Sequence, residues 1–439
     1  MKGYVQIITY GCQMNDLDSR KVHSLLAGDG WMQTESSTEA DLIILNTCSV
    51  RQKAYEKALS TIGRLRPYKR KKPSLIIAVA GCIAQQKGAD IIERMPHVDI
   101  VLGTHQLHRI TEIINKKRLE KRTQVDTRMN ECIPSMDIVP DAEFVTPSHR
   151  AYINIMQGCD NYCSYCIVPY VRGKEISRDH AHIIEEIRVH ASRGVREIFL
   201  LGQNVNSYSG GMGFPALLKS ISEIDGMQRI RFTTSHPKDM SDDLIDCFAG
   251  LEKLCSHIHL PFQSGSDKVL ELMNRQYTRQ GYLKLVRKLR AARPDIAFSG
   301  DVIVGFPGES ESDYQDTLDL IQEVRFDLLY SFRYSVRPGT KAAGLEDSVL
   351  REEKQRRLVK LQAMQRKITL ECSQARLDKI YEVLVDGVSE RNPDQVHGRT
   401  TQNSIVNFTG SPSLIGTMAR VKVTRANPNS LTGEAAEKP

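Results

Sequence analysis

Gly158-Cys159-Asp160-Asn161-Tyr162-Cys163-Ser164-Tyr165-Cys166 sets three cysteines at Cys-x3-Cys-x2-Cys spacing, directly after the strand-like run Tyr152-Ile153-Asn154-Ile155-Met156. Three thiolates can hold three corners of a cubane iron-sulfur cluster and leave one iron open to a small molecule. A structural zinc site is the alternative, but it closes with four ligands, and no fourth Cys or His follows nearby. An open metal corner at the end of a strand predicts chemistry there.

Outward from this stretch the strand-then-helix unit recurs. Candidate strands are Tyr152 to Met156, Glu197 to Leu201, Arg231 to Thr234, His257 to Leu260, Phe298 to Val304 and Leu328 to Tyr334. Helical periodicity falls between them at His182 to Arg193, Asp242 to Leu251, Asp267 to Met273, Gln280 to Ala292 and Glu311 to Val324. Right-handed crossovers between such units curl them into a partial (β/α)6 barrel with the cysteine loop at its C-terminal mouth. The other strands end in polar, Gly-rich segments: Gly202-Gln203-Asn204, Thr234-Ser235-His236-Pro237, Pro261-Phe262-Gln263-Ser264-Gly265-Ser266 and Gly305-Phe306-Pro307-Gly308-Glu309. A substrate is expected at that mouth.

A second cysteine set lies in the first hundred residues. Apolar runs at Tyr4 to Tyr10, Asp41 to Leu45 and Leu75 to Ala80 lead into Cys12, Cys48 and Cys82, and helical patterns follow at Ser19 to Ala27, Arg51 to Leu65 and Ala84 to Arg94. That is βαβαβα, an α/β domain with a parallel sheet, in which all strand C-termini share one edge. The three cysteines therefore converge, either as a second three-ligand cluster site or as three buried thiols, a common environment for free cysteine.

The chain has 439 residues, enough for several domains, with 60 Lys and Arg against 53 Asp and Glu for a formal charge of +7. This balance permits a polyanionic partner without requiring one. The ten cysteines are spaced as ligand sets rather than as a disulfide framework, which predicts a reducing, cytoplasmic setting. No signal peptide and no long apolar run is found, so no membrane partner is expected. Cys132, Cys247, Cys255 and Cys372 match no ligand pattern.

Residues 117–145 lack periodicity and read as a linker. The run Arg66-Pro67-Tyr68-Lys69-Arg70-Lys71-Lys72-Pro73 mixes aromatic with basic residues, so Lys69, Arg70 and Lys71 are phosphate-contact candidates, with a solvated loop as the alternative. Arg351 to Asp378 predicts one long charged helix. Short alternating strands follow at Tyr381 to Val385, His397 to Phe408 and Thr417 to Arg425, a small β-barrel with Arg391, Arg399, Arg420, Lys422 and Arg425 as its charge.

These parts in this order resemble the methylthiotransferase family of radical S-adenosylmethionine (SAM) enzymes over essentially the whole chain. Tyr10-Gly11-Cys12-Gln13-Met14-Asn15 and Asn46-Thr47-Cys48-Ser49-Val50-Arg51 look like the branch that methylthiolates isopentenylated adenosine in tRNA. Further matches are His259 through Ser266, Asn274-Arg275-Gln276-Tyr277-Thr278, Val304 through Glu309 and Tyr334-Ser335-Val336-Arg337-Pro338-Gly339-Thr340, with Gly398-Arg399-Thr400 through Asn403 matching the TRAM module. Phe262 stands where the family usually has Val, and Lys341 where it usually has Pro.

The resemblance implies an N-terminal cluster domain at 1–116, a linker at 117–145, a radical SAM barrel at 146–372 and an RNA-binding TRAM domain at 373–439. It implies two 4Fe-4S clusters, one on Cys12, Cys48 and Cys82 that supplies sulfur and one on Cys159, Cys163 and Cys166 that cleaves SAM. Tyr165 would flank the SAM adenine, with Gln203, Asn204, Ser235, Gln263 and Gly305 as further SAM contacts and Arg399 and Arg420 as RNA contacts. The implied reaction is C2 methylthiolation of N6-isopentenyladenosine 3′ of the tRNA anticodon, with one SAM as methyl donor and one as radical source. Threonylcarbamoyl-adenosine or a ribosomal-protein aspartate is the alternative target. Partners would be the tRNA anticodon arm, a low-potential electron donor and a sulfur or cluster donor system, acting on a monomer.

Overall fold

Apolar residues run without alternation through Leu42-Ile43-Ile44-Leu45 and Ile76-Ile77-Ala78-Val79-Ala80 because their sheet is covered on both faces. The computed structural model describes residues 2–49, 52–139, 149–390 and 392–436. Expectations placed on Val50, Arg51, Arg391 and part of the 117–145 linker lie outside the described residues. The chain opens with β1 (Gly3–Thr9), α1 (Gln13–Gly28), β2 (Trp31–Gln33), β3 (Leu42–Thr47), α2 (Gln52–Arg64) and α3 (Arg66–Lys71). It continues with β4 (Ile76–Gly81), α4 (Cys82–Lys87), α5 (Asp90–Arg94), β5 (Ile100–Leu102), α6 (Ile110–Glu120) and β6 (Gln124–Asp126). All six strands are parallel, in the order β2-β1-β3-β4-β5-β6. Ile44, Ile76 and Ala78 pack into the core on one face, and Ile43, Leu45, Ile77 and Val79 into the core on the other.

Two expectations are corrected here. The supposed linker begins as the last turn of α6 and then adds the edge strand β6, paired Ile100↔Gln124 to Leu102↔Asp126. With only Val125 apolar, this strand is specified by its backbone ladder and leaves no periodicity to read. The single helix expected over Ala84 to Arg94 breaks at Gly88, whose φ of 50° leaves the helical region.

The middle of the chain contains β7 (Arg150–Asn154), β8 (Met156–Gln157), α7 (Val168–Arg172), β9 (Ile176–Ser177), α8 (His180–Ser192), β10 (Glu197–Leu201), α9 (Phe214–Ser222) and β11 (Arg229–Thr233). After these come α10 (Asp242–Gly250), β12 (His257–His259), α11 (Asp267–Leu272), α12 (Arg279–Ala292), β13 (Ala297–Val304), α13 (Glu311–Val324) and β14 (Leu328–Arg333). Parallel sheets β11-β10-β7 and β12-β13-β14 meet at the bridge Ile230↔Leu254, forming an open barrel with β7 and β14 at its free edges. Ile153, Ile198, Leu200, Ile258, Phe298 and Val302 pack outward against the helices in one core.

Helix α14 (Arg351–Gln374) leads to β15 (Ile380–Val388), β16 (Gln395–Arg399), β17 (Ile405–Thr409), β18 (Met418–Ala426) and β19 (Leu431–Ala435), which close into a barrel ordered β15-β16-β17-β19-β18. The single strand expected over His397 to Phe408 is a hairpin, turned by Asn403 at φ 65°. β19 leaves little trace in the sequence because Leu431 is its one large apolar residue. The small barrel is seated under the N-terminal ends of β10 and β11. There Arg229 donates to the carbonyls of Arg399 (2.7 Å) and Glu382 (2.9 Å), and Arg231 to those of Thr400 (2.5 Å) and Thr401 (3.0 Å). Among the described residues no helix is long and apolar enough to cross a membrane.

Candidate functional site

Cys12, Cys48 and Cys82 follow β1, β3 and β4 at one edge of the N-terminal sheet. Glycines bring them close: a Cβ on Gly11 (φ 135°) would lie 2.4 Å from Cys48 Cβ, and one on Gly81 (φ 87°) 2.5 Å from the Thr47 carbonyl oxygen. Asn15 and Asn46 brace the edge from inside. Asn15 Nδ2 donates to Asn46 Oδ1 (3.0 Å) and the Thr47 carbonyl (3.1 Å), Asn46 Nδ2 donates to the Asn15 carbonyl (2.9 Å), and Cys12 Sγ donates to Asn15 Oδ1 (3.4 Å). Cys12 is exposed, whereas Cys48 and Cys82 are buried. A hydrogen bond with Cys48 pulls the Cys12 thiol down to about 6 against its desolvation, and the Arg172 charge acts in the same direction. Burial raises Cys82, again opposed by Arg172.

The barrel cysteines sit in a loop tied on every side. Gly158 (φ 84°) has no room for a Cβ, which would meet the Lys174 carbonyl at 1.9 Å, and its N–H donates to Gln203 Oε1 (2.7 Å). Ser164 donates to the carbonyls of Met273 (3.0 Å) and Leu272 (2.8 Å), and Asn274 Nδ2 to those of Asn161 (3.2 Å) and Tyr162 (3.1 Å). Arg275 Nη1 donates to Cys163 Sγ (3.4 Å). Burial pushes Cys166 up to about 12, with the Cys163 charge adding to the rise, and burial raises Cys159 as well. Burial keeps Cys82, Cys159 and Cys166 protonated, and both sets offer soft sulfur donors that would release their protons on binding iron. Among the described residues no three His, Cys, Asp or Glu side chains converge on one ion. A cubane binds each thiolate at a different iron and needs no such convergence.

Three family models match the chain: Uncharacterized protein family UPF0004 at residues 4–103, the Radical SAM superfamily at 153–321 and the TRAM domain at 375–436. A tRNA-2-methylthio-N(6)-dimethylallyladenosine synthase of Geobacter metallireducens is 53% identical over 98% of both chains, and one of Neisseria meningitidis is 47% identical over 99% of both. The chain belongs to the tRNA-2-methylthio-N(6)-dimethylallyladenosine synthase family. Its fold is shared with a radical SAM methyltransferase of Kitasatospora setae (TM-score 0.56, 14% identity, 78% of this chain and 75% of that one). It is shared too with a cobalamin-dependent SAM radical enzyme (TM-score 0.53, 13% identity, 82% and 56%).

A radical SAM synthase of this family uses a 4Fe-4S cluster and SAM, and the barrel mouth has polar groups to spare for a ligand. Ser235 Oγ is buried without a hydrogen-bond partner, and so are Asn154 Oδ1, Gln157 Nε2 and His236 Nε2 at neighbouring strand ends. Tyr165 packs edge-on to Phe306 at 6.5 Å, beside Cys163 and Cys166. The remaining SAM candidates have work within the fold. Gln203 holds Gly158, Asn204 links the His236 N–H (3.1 Å) to Asp239 Oδ2 (2.8 Å), and Gln263, at φ 64°, bridges to β13 through its backbone. Gly305 (φ 69°) makes room for Lys354, whose Cγ lies 2.3 Å from where its Cβ would be.

Sequence reasoning did not find Asn154, Gln157, His236, Arg172 or Arg275 as site residues. Asn154 had a signal, a lone amide inside an apolar strand; Arg275 had only its motif, since a loop arginine is ordinarily solvated or paired. The RNA candidates are spread over two domains. Lys69 Nζ is engaged by Asp99 (2.7 Å) and the Leu75 carbonyl, while Arg70 and Lys71 stay on the surface of α3. Arg399 Nη1 donates to Asn403 (3.3 Å), with Asp386 at 3.9 Å, whereas Arg420 lies on the exposed face of β18.

Proposed function

We propose that this chain converts N6-dimethylallyladenosine in tRNA, 3′ of the anticodon, to its 2-methylthio derivative, with one SAM as methyl donor and a second as radical source. The observation that carries this is 53% identity over 98% of both chains to a synthase of that name, joined to two cysteine triplets at strand-end edges of two domains. When bound, SAM and the clusters supply an oxidant strong enough to replace an unactivated aromatic C–H, and the sulfur that replaces it.

Cys159, Cys163 and Cys166 would hold the radical cluster, and Cys12, Cys48 and Cys82 a second one. Ser235, Asn154, Gln157 and His236 would meet the polar groups of SAM, and Tyr165 would flank its adenine. Domain limits follow as 1–126 for the sulfur-supplying domain, 149–374 for the barrel with its closing helix and 375–436 for the TRAM module. The outer face of β18, with Arg420, Lys422 and Arg425, is the proposed track for tRNA phosphates. A low-potential electron donor and a sulfur or cluster donor would serve the enzyme in the cytoplasm. Mass analysis of tRNA nucleosides tests the reading: a host lacking this protein should accumulate the unmethylthiolated prenyl nucleoside, and a normal 2-methylthio content would overturn it.

A further inference from the structure

Arg172 ends α7, in the same loop segment as the barrel cysteines, yet its side chain serves the other cysteine set. The segment is pulled across the domain boundary by the N-terminal domain. Thr104 Oγ1 donates to the Val171 carbonyl (2.7 Å) and His105 Nε2 to the Arg172 carbonyl (2.9 Å), while Ile167 and Val171 pack against Cys82. Only 3% of Arg172 is exposed. Its Nη2 donates to Asp18 Oδ2 on α1 at 2.9 Å. Its charge acts on Cys82 and Cys12, whereas Nη1 is buried without a hydrogen-bond acceptor.

A guanidinium donates through a rigid fork, and burying one of its N–H groups unpaired costs free energy. Asp18 orients the fork and leaves Nη1 on the side of the cysteines. Sulfur anions suit such a donor, because a polarisable, negatively charged acceptor accepts long, charge-assisted hydrogen bonds. The guanidinium already faces sulfur, since its charge and hydrogen bonding hold the Cys82 thiol down against burial, while Nη1 itself has no acceptor at hydrogen-bond distance in the resting fold.

We propose that Arg172 is a positioning residue for the sulfur-supplying site, its Nη1 reserved for an anionic sulfur carried at the open corner of the Cys12, Cys48 and Cys82 cluster. This rests on the two-cluster reading above. One arginine then couples the two halves of the reaction, since the loop that carries the radical-site cysteines also supplies the hydrogen bond that holds the sulfur to be transferred.

The test uses the full chain reconstituted with both clusters, titrated anaerobically with sodium hydrosulfide and followed by EPR of the reduced N-terminal cluster. Arg172→Gln should keep wild-type iron content and 5′-deoxyadenosine formation but bind hydrosulfide about tenfold or more weakly, with the cluster's midpoint potential moved to lower values. If Arg172→Gln fails to load, Arg172→Lys carries the test: it keeps a charge opposite Asp18 but loses the fork, and should show the same weakened binding. Wild-type hydrosulfide affinity and potential in a loaded variant would overturn the proposal and leave Arg172 a domain strut. Wild-type protein that loads about four irons rather than about eight would sink the two-cluster reading instead.

Discussion

Arg275 Nη1 donates to Cys163 Sγ at 3.4 Å, and the same guanidinium is fixed by the Pro261 carbonyl at 2.9 Å and the Tyr277 hydroxyl at 3.0 Å. Left-handed backbone on either side, at Asn274 (φ 57°) and Gln276 (φ 55°), turns the arginine inward from what is otherwise a surface turn. Each cysteine set thus has a buried arginine of the barrel domain beside it, Arg275 at the barrel set and Arg172, reaching across the domain boundary from α7, at the N-terminal set.

Reducing a cluster adds a negative charge, which a hydrogen bond and a cation at a ligand sulfur favour. Arg275→Gln is therefore expected to lower the midpoint potential of the barrel cluster and slow 5′-deoxyadenosine formation, with iron content unchanged. Potentiometry followed by EPR checks this; an unmoved potential would make Arg275 a packing residue.

The strand ends at Cys12, Cys48 and Cys82 were legible in the sequence because βα alternation fixes which sheet edge they share, and the barrel was legible for the same reason. Contacts between domains were not. Nothing in Val168-Pro169-Tyr170-Val171-Arg172 says that its last side chain crosses to Asp18 on the first helix, and nothing in Asn274-Arg275-Gln276 marks the arginine as buried. Such pairings depend on backbone turns and domain docking, which leave no periodic trace.

The two sites should fail separately. Cys163→Ala is expected to abolish SAM cleavage and bring iron from about eight to about four per chain, whereas Cys12→Ala should lose the methylthio product and keep 5′-deoxyadenosine formation. Methylthio product from the Cys12 variant would place the sulfur elsewhere.

Asp313 has a stability role with a defined pH range. Burial pushes its carboxyl up, but hydrogen bonds from Ser266, Ser310 and Lys268 overcome this and hold it at about 2. A depressed folded value means stability that is present above the ordinary carboxylate range and lost as pH falls through about 2. Asp313→Ala should therefore cost about 2 kcal/mol at neutral pH, measured by urea unfolding, and the gap to wild type should close in acid. A gap that stayed constant down to the acid end of that range would contradict this.

Removing the TRAM module outright would strip Arg229 and Arg231 of four backbone acceptors, so truncation confounds RNA binding with barrel stability. Charge reversal on the exposed face is cleaner. Arg420→Glu with Arg425→Glu should leave SAM cleavage intact and weaken tRNA binding, with the salt slope reduced by about one for each phosphate that is no longer neutralised. An unchanged slope would move the RNA track to Arg70 and Lys71.

Substrate choice should be read on the inner face of β14. Register pairs Ser299↔Leu328, Asp301↔Tyr330 and Ile303↔Phe332, and Ser331, on the opposite face, accepts from Gln362 of α14, so Leu328, Tyr330 and Phe332 point into the open barrel. All three are exposed. A half-exposed ladder of this kind inside a cleft, with the Tyr330 ring edge-on to His259 at 6.0 Å, calls for an apolar ligand, and Ile303, the partner of Phe332, packs against the same cluster as Tyr165, beside the barrel cysteines. A dimethylallyl group laid on this ladder would gain about 2 kcal/mol from burial, roughly 30-fold in affinity. Wild-type enzyme should accordingly prefer prenylated over unprenylated tRNA by about that factor in competition. Phe332→Ala with Tyr330→Ala should shrink the preference to a few-fold while binding unprenylated tRNA as before, because phosphate contacts are untouched. If the double variant kept the full preference, the prenyl group would be bound away from β14, and if the wild type showed none, the enzyme would not read the prenyl group at all.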